Sequence, residues 1–377
     1  MDWSYWRQEF PITERLTHLN HAGVSPVARR TAAAVTRFIN EATVIDAATQ
    51  RRWEARAEAI RAGFARLVGA RDDEIAFVKN TSEGLSLVAA GLDWRADDHV
   101  IAVEGEYPSN VYPWFGLRRW GVETRLVRPV GGRVRVEDVA ALVDAHTRLV
   151  AVSFVDWNTG ARTELGPIGE LCRRRGILFC VDGIQGVGAI RLDVERECID
   201  CLAVGGHKWL LAPEGCGALF VSRRVVDRVQ SVLHGWKSVT DADTYLPYHF
   251  NPRPDAAKFE PGSPSHLGAH ALGSAIDLLL EVGAEHIEGR LLEITDRLAA
   301  GLRSRGAEIV SPWAAGARSA IVVFRLGDDP QRLCAELNRQ GFVVRVRGGG
   351  IRVAPHFYNN EDDIDRLLAA LDRLGAG

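Results

Sequence analysis

The stretch VGGHKWLLAPEGCG, residues 204–217, decides how this chain is read. An apolar run, Cys201–Val204, ends in two glycines, and a His-Lys pair follows at 207 and 208. Lysine ordinarily keeps its ammonium in water. Here the flanking pattern puts Lys208 at the edge of an interior. CLAVGG (201–206) reads as a buried strand, and in open α/β sheets ligands gather beyond the carboxyl ends of strands. ILFCVD (177–182) is a second apolar run of the same kind, and it ends in Asp182.

Working outward, strand and helix patterns alternate. Residues 26–68 carry helical spacing, opened by Ser25-Pro26. EIAFVK (74–79), HVIAV (99–103), RLVAVSFV (148–155) and GALFVS (217–222) read as further strands. Helices are predicted over 81–92, 109–120 and about 165–175. This alternation predicts a mainly parallel central sheet covered by helices on both faces. Residues 234–266, rich in Pro, Asp and aromatics, read as a long functional loop. Two long helices follow, about 265–282 and 285–304. The tail predicts strands at 319–326, 342–347 and 351–355 and helices at 330–340 and 360–374, a smaller α+β layer. The expected organisation is an N-terminal segment (1–25), a large domain (26–255) and a small C-terminal α+β domain (256–377).

Composition narrows the function classes. The 377 residues are 46% hydrophobic and 25% charged, ordinary for a globular protein. A net charge of -3, with arginines and acids interspersed, argues against a nucleic-acid or anionic-membrane partner. No apolar run is long enough for a membrane span, and the N-terminus lacks the apolar core of a signal peptide. The six cysteines sit mostly in apolar runs, which reads as reduced, buried thiols in a cytoplasmic protein. Cys198 and Cys201 form a C-x-x-C with no second pair to complete a zinc site, so no metal is expected.

An amine and a carboxylate at two strand ends suggest a cofactor between them. Pyridoxal phosphate (PLP) needs such a pair: a lysine to bond its aldehyde and an acid to keep its ring nitrogen protonated. The same residues also read as a rim lysine and a helix cap, and both readings stand at this point. KNTSEGLSL (79–87) offers Thr81 and Ser82 at a predicted helix start, a place suited to phosphate or to an ordinary cap. Tyr107 follows the strand HVIAV, where a flat ring could stack on a flat cofactor. VDGIQGVG (181–188) contains G-x-G but lacks the third glycine and the following helix of a dinucleotide site.

Together these stretches resemble the class V aminotransferases of PLP fold type I, which include cysteine desulfurases, kynureninase and isopenicillin-N-epimerase-like enzymes. The resemblance runs from LNHAGVSP (19–26) to IRVAPHFYNNEDDIDRLLAAL (351–371). Its most specific part is VDGIQGVGAIRLDV followed by DCLAVGGHKWLLAPEGCGALFV. The resemblance implies that Lys208 bonds the cofactor aldehyde, Asp182 meets the ring nitrogen and Gln185 approaches the ring hydroxyl. It implies that His207, Thr81 and Ser82 bind the phosphate and that Tyr107 stacks on the ring. DWNTG (156–160) would line the site through Asp156 or Asn158. Arg352 would hold the substrate α-carboxylate, with Arg345 and Arg347 as rivals, and His21 and Ala22 would lie on the substrate side. FEPGSPSH (259–266) implies that Ser263 reaches the phosphate of a partner subunit, hence a homodimer with shared active sites.

The departures from the family pattern bear on the reaction. Desulfurases carry a nucleophilic cysteine shortly before the carboxylate arginine; here that region is VRVRGGGIRVAP (344–355), without cysteine. Tyr107 stands where desulfurases usually have histidine, and Gly205 where many have serine. The expected activity is therefore a PLP-dependent lyase, through β-elimination, or an epimerase-like reaction on an amino acid or its conjugate. True amino transfer, desulfurase-like chemistry and a non-catalytic assembly role are the alternatives.

Overall fold

The structure is a computed structural model that describes residues 1–375. Seven strands form the central sheet: β1 (Ile75–Val78), β2 (His99–Val103), β3 (Glu123–Val127), β4 (Thr147–Ser153), β5 (Leu178–Asp182), β6 (Cys201–Gly205) and β7 (Gly217–Val221). Their order is β1-β7-β6-β5-β4-β2-β3, and only β7 runs against its neighbours. The mainly parallel sheet is thus as the sequence predicts. Every residue of β2, β5, β6 and β7 is buried, which is why these strands read as unbroken apolar runs.

Two apolar cores lie on opposite faces of the sheet. One joins Val150, Phe179 and Leu202 to helices Ala47–Val68, Leu165–Arg175 and His266–Val282. The other joins Ala151, Cys180 and Ala203 to helix Thr81–Gly91 and to Trp114. Asn80 starts helix Thr81–Gly91 by accepting a 2.9 Å bond from the Glu83 amide. A Cβ on Gly84 would stand 2.9 Å from the Ala203 Cβ, so glycine lets this helix press onto β6. The helix start is thereby held beside the end of that strand.

A second sheet follows the order β10-β11-β9-β8, formed by β8 (Glu308–Ile309), β9 (Val322–Arg325), β10 (Arg345–Arg347) and β11 (Gly350–Val353). It has its own core with Leu298, Leu337 and Leu367. The N-terminal segment is tied to this layer. Thr17–His18 pairs in parallel with Phe342–Val343, and Arg7 bonds the buried Asp363 at 2.7 Å. Helix His266–Val282, which the sequence groups with the C-terminal layer, packs on helices Arg29–Ala42 and Ala47–Val68.

Several elements differ from expectation. The helical pattern over 26–68 breaks into two helices at 43–46, where Asp46 caps the second by accepting from the Thr49 amide at 2.7 Å. The predicted helix 109–120 is three short turns, because Pro108 and Pro113 restart it. The predicted strand 342–347 splits between two sheets. Among the described residues, no single helix is long and apolar enough to cross a membrane.

Candidate active site

The carboxyl ends of β1, β2, β4, β5 and β6 open into one cleft of about 430 Å³. Thr81, Ser82, Tyr107, Trp157, Asp182, Gln185, His207, Lys208 and Arg352 all line it, as do Ala22 and Arg347. Most of these residues meet there because each stands at or just beyond the end of a strand of the same central sheet, whereas Arg347 and Arg352 come from the second sheet and Ala22 from the N-terminal segment.

Lys208 is half-buried, with its Nζ 5.5 Å from the centre of the Tyr107 ring. Burial pulls its amine down to about 8; Asp182 opposes that shift, and Arg352 and Arg347 add to it. Asp182 is 1% exposed. Burial pushes its carboxyl up to about 6, against the Ile184 amide and Lys208, which both favour the ionised form. One oxygen accepts the Ile184 amide at 2.9 Å; the other accepts no hydrogen bond from the described residues. A buried acid with a free oxygen, facing an amine of lowered basicity, can serve both a ring nitrogen and an aldehyde.

Polar groups crowd the start of helix Thr81–Gly91. The Thr81 hydroxyl accepts the Gly205 amide at 2.9 Å, and Ser82 pairs with Ser109 at 2.7 Å. A Cβ on Gly205 would lie 3.3 Å from the Thr81 hydroxyl and 3.4 Å from the His207 ring. Glycine at 205 therefore keeps this corner open, and a serine would press on it. Burial, then Lys208, lowers the His207 pKa below the ordinary imidazole value. Hydroxyls and free amides at the start of an eleven-residue helix suit a phosphate. The residues present fit PLP at its amine, acid, planar and anionic contacts.

Gln185 lines the cleft with both ends of its amide engaged. Its Nε2 donates to the Ala22 carbonyl at 3.0 Å, and its Oε1 accepts from the Trp209 indole at 3.0 Å. Ala22 faces the cleft, but His21 does not, which corrects its placement on the substrate side. The His21 ring is buried, with its nitrogens against the Ala354 carbonyl at 2.8 Å and the Tyr358 hydroxyl at 2.7 Å.

Neither Asp156 nor Asn158 lines the cleft; Trp157 between them does. Asp156 accepts from the Asn158 and Thr159 amides, at 3.1 and 2.5 Å, and so closes its own turn. Asn158 accepts from the Gly348 amide at 2.7 Å. With both neighbours turned to backbone partners, the indole of Trp157 projects into the cleft and meets Tyr107 edge-on at 5.5 Å. Ser263 lies in a separate cleft of about 470 Å³, with Lys79, Glu83, Cys216 and Pro261.

Arg352 is 3% exposed. It donates to the Trp157 carbonyl at 2.8 Å and to the Asn20 side chain at 3.2 Å, and its Nε has no partner among the described residues. A guanidinium that lines a cleft and has no carboxylate partner among the described residues is suited to a substrate carboxylate. Burial, then Arg347, pulls its pKa down to about 10.

One neighbour escaped sequence reasoning. Glu106 accepts the Ser153 amide at 2.7 Å and also bonds the Ser153 hydroxyl. Ser153 pairs with Asp182 across β4 and β5. Desolvation pushes the Glu106 carboxyl up to about 8, and the charge of Asp182 adds to it. Burial thus favours its neutral form beside Asp182, against the two Ser153 donors, which favour the ionised form. Its sequence signal was only a glutamate just before the candidate stacking ring.

The fold and the cleft define a PLP-dependent enzyme. The chain belongs to the aminotransferase class-V family, whose model matches residues 18–367. It is 29% identical to the probable cysteine desulfurase of Methanothermobacter thermautotrophicus, over 98% of this chain and 97% of that protein. It is 25% identical to the uncharacterized aminotransferase YcbU of Bacillus subtilis, over 98% and 97%. Among solved structures, the apo cysteine desulfurase of Thermococcus onnurineus NA1 superposes with a TM-score of 0.89 at 24% identity, over 98% and 96%. The cystine C–S lyase C-DES, in complex with cysteine persulfide, superposes at 0.88 and 23%, over 96% and 98%. These likenesses establish the shared fold.

Proposed function

We propose that this enzyme eliminates the β-substituent of an amino acid, as a C–S or related β-lyase. PLP, when bound, supplies an aldehyde that captures the substrate amine and a ring that accepts the electron pair left by a departing α-proton. Asp182 holds a proton at the ring nitrogen, and Tyr107 and Gln185 position the ring. Thr81, Ser82 and His207 hold the phosphate. Arg352, which lines the cleft, orients the α-carboxylate. Lys208 takes up the α-proton as general base; burial brings its amine down to about 8, so a fraction is uncharged near neutral pH. The Cβ–S bond then breaks with its electron pair on sulfur, and hydrolysis releases pyruvate and ammonia.

The observation that carries this reading is the absence of any thiol from the cleft. All six cysteines are buried and lie outside its lining. Burial pushes the Cys216 thiol up to about 12 and raises Cys172, Cys180, Cys201 and Cys334 as well. Persulfide transfer needs a reachable thiolate. The sequence names borne by relatives therefore do not carry desulfurase chemistry to this chain. Incubating the PLP-loaded protein with cystine and S-substituted cysteines should give pyruvate and ammonia in equal amounts. A persulfide trapped on any of its cysteines during turnover, or faster amino transfer to a keto acid, would sink the proposal. Inversion at the α-carbon without elimination would favour the epimerase-like alternative.

The same reading makes the enzyme a homodimer in which Ser263 serves the partner's phosphate site. Its place in a cleft other than its own chain's lysine cleft supports this. Sedimentation of the PLP-loaded protein at micromolar concentration should give twice the 41.4 kDa chain mass, and a monomer would exclude it.

A further inference from the structure

Two arginines face the cleft, and the α-carboxylate accounts for only one. In the β10–β11 hairpin, Arg345 pairs with Arg352 and Arg347 with Gly350, so all three arginines share one face. Arg345 stays outside the cleft, whereas Arg347 and Arg352 line it as diagonal neighbours, roughly 7–8 Å apart at the backbone. The turn between the strands is only Gly348-Gly349. Gly348 has φ +60°, and a Cβ there would meet the Asn158 carbonyl at 2.8 Å. This tight turn is tied to Asn158, and the Arg347 guanidinium that it presents lies over the face of Trp157, 5.7 Å from the ring centre.

Arg347 is exposed to water and has no ion-pair partner among the described residues. The one hydrogen bond Arg347 makes among the described residues is to the carbonyl of its neighbour Val346, at 2.8 Å. No carboxylate among the described residues lies within ion-pair distance of Arg347 or Arg352. Glu214, the other acid at the cleft, acts on His207. In the sheet, β5 with Asp182 separates β6, beside the Thr81 corner, from β4, which leads to Trp157. The arginines therefore sit on the side away from the candidate phosphate contacts. Arg347 also makes both Arg352 and Lys208 easier to deprotonate, the effect of unneutralised like charge.

We propose that the substrate is an amino acid whose side chain or S-substituent ends in a second carboxylate, held by Arg347 against Trp157 while Arg352 holds the α-carboxylate. This rests on the assignment of Arg352 made above. A guanidinium on an aromatic face is preorganised for a planar anion.

Calorimetric titration of the PLP-loaded protein with glutarate and with its mono-amide tests this, since neither ligand carries an amine to react. Glutarate should bind at least about tenfold tighter than the mono-amide, the scale of a charge-assisted contact. Arg347→Gln should bring the two to within about threefold by weakening glutarate. Its thermal midpoint, read alongside, separates lost binding from lost folding. A wild-type preference below tenfold, or a preference that survives Arg347→Gln, overturns the proposal. Arg352→Gln should weaken the mono-amide as well; if it does not, the α-carboxylate assignment fails instead.

Discussion

Lys208→Ala should lower kcat by about 10⁴-fold or more, because it removes both the covalent anchor and the general base. PLP should still bind, reversibly, through contacts that do not involve position 208. Retention of more than one part in a hundred of wild-type kcat would show that another group moves the α-proton. The pH dependence follows from the lowered amine. A neutral amine is needed to attack the cofactor aldehyde, and burial brings Lys208 down to about 8. Below that value, the rate at which Lys208 attaches the cofactor should rise about tenfold per pH unit. Above it, the rate should level off. An attachment rate still climbing steeply beyond about pH 10 would mean an ordinary, solvated lysine.

Asp182→Asn should lower kcat by about 10²–10³-fold, since an amide cannot hold the ring nitrogen protonated. The same change should stabilise the cofactor-free protein at neutral pH. Burial raises the Asp182 carboxyl from 3.8 to about 6, so the folded chain holds that proton more tightly than the unfolded chain. The stability this contributes is fully present below the unfolded value and is lost as pH rises through the folded one. At pH 7.5 the buried charge costs on the order of 2–3 kcal/mol, which the neutral asparagine avoids. The variant's thermal midpoint should therefore exceed the wild type's at pH 7.5 and match it near pH 3.5. Equal midpoints at both pH values would mean that the carboxylate is solvated.

Much of the site was readable from the chain because of where parallel strands end. Strands buried on both faces are written as short apolar runs, and a polar residue just beyond such a run is held at the sheet's edge. Asp182, Lys208 and Tyr107 were found that way. β3 was missed because it is an edge strand, exposed enough to carry Glu123, Thr124 and Arg125. Glu106 escapes a sequence reading because its raised pKa comes from burial, and then from Ser153 and Asp182, which are distant in sequence.

The sequence by itself determined the alternation of strands and helices, the layered α/β class and the order in which an acid and an amine reach the sheet edge. Those features follow from local periodicity and from side chains within a few residues of each strand end. Only the tertiary structure decided which neighbours face the cleft: Ala22 and not His21, Trp157 and not Asp156 or Asn158, Arg347 and not Arg345. His21 and Asn158 are drawn aside by hydrogen bonds to residues more than a hundred positions away, and the Arg347 strand is seated against another layer through Gly348 on Asn158, while Asp156 is turned aside by its own local turn. Neither the long-range contacts nor the choice of partner within a turn leaves a periodic trace in the sequence.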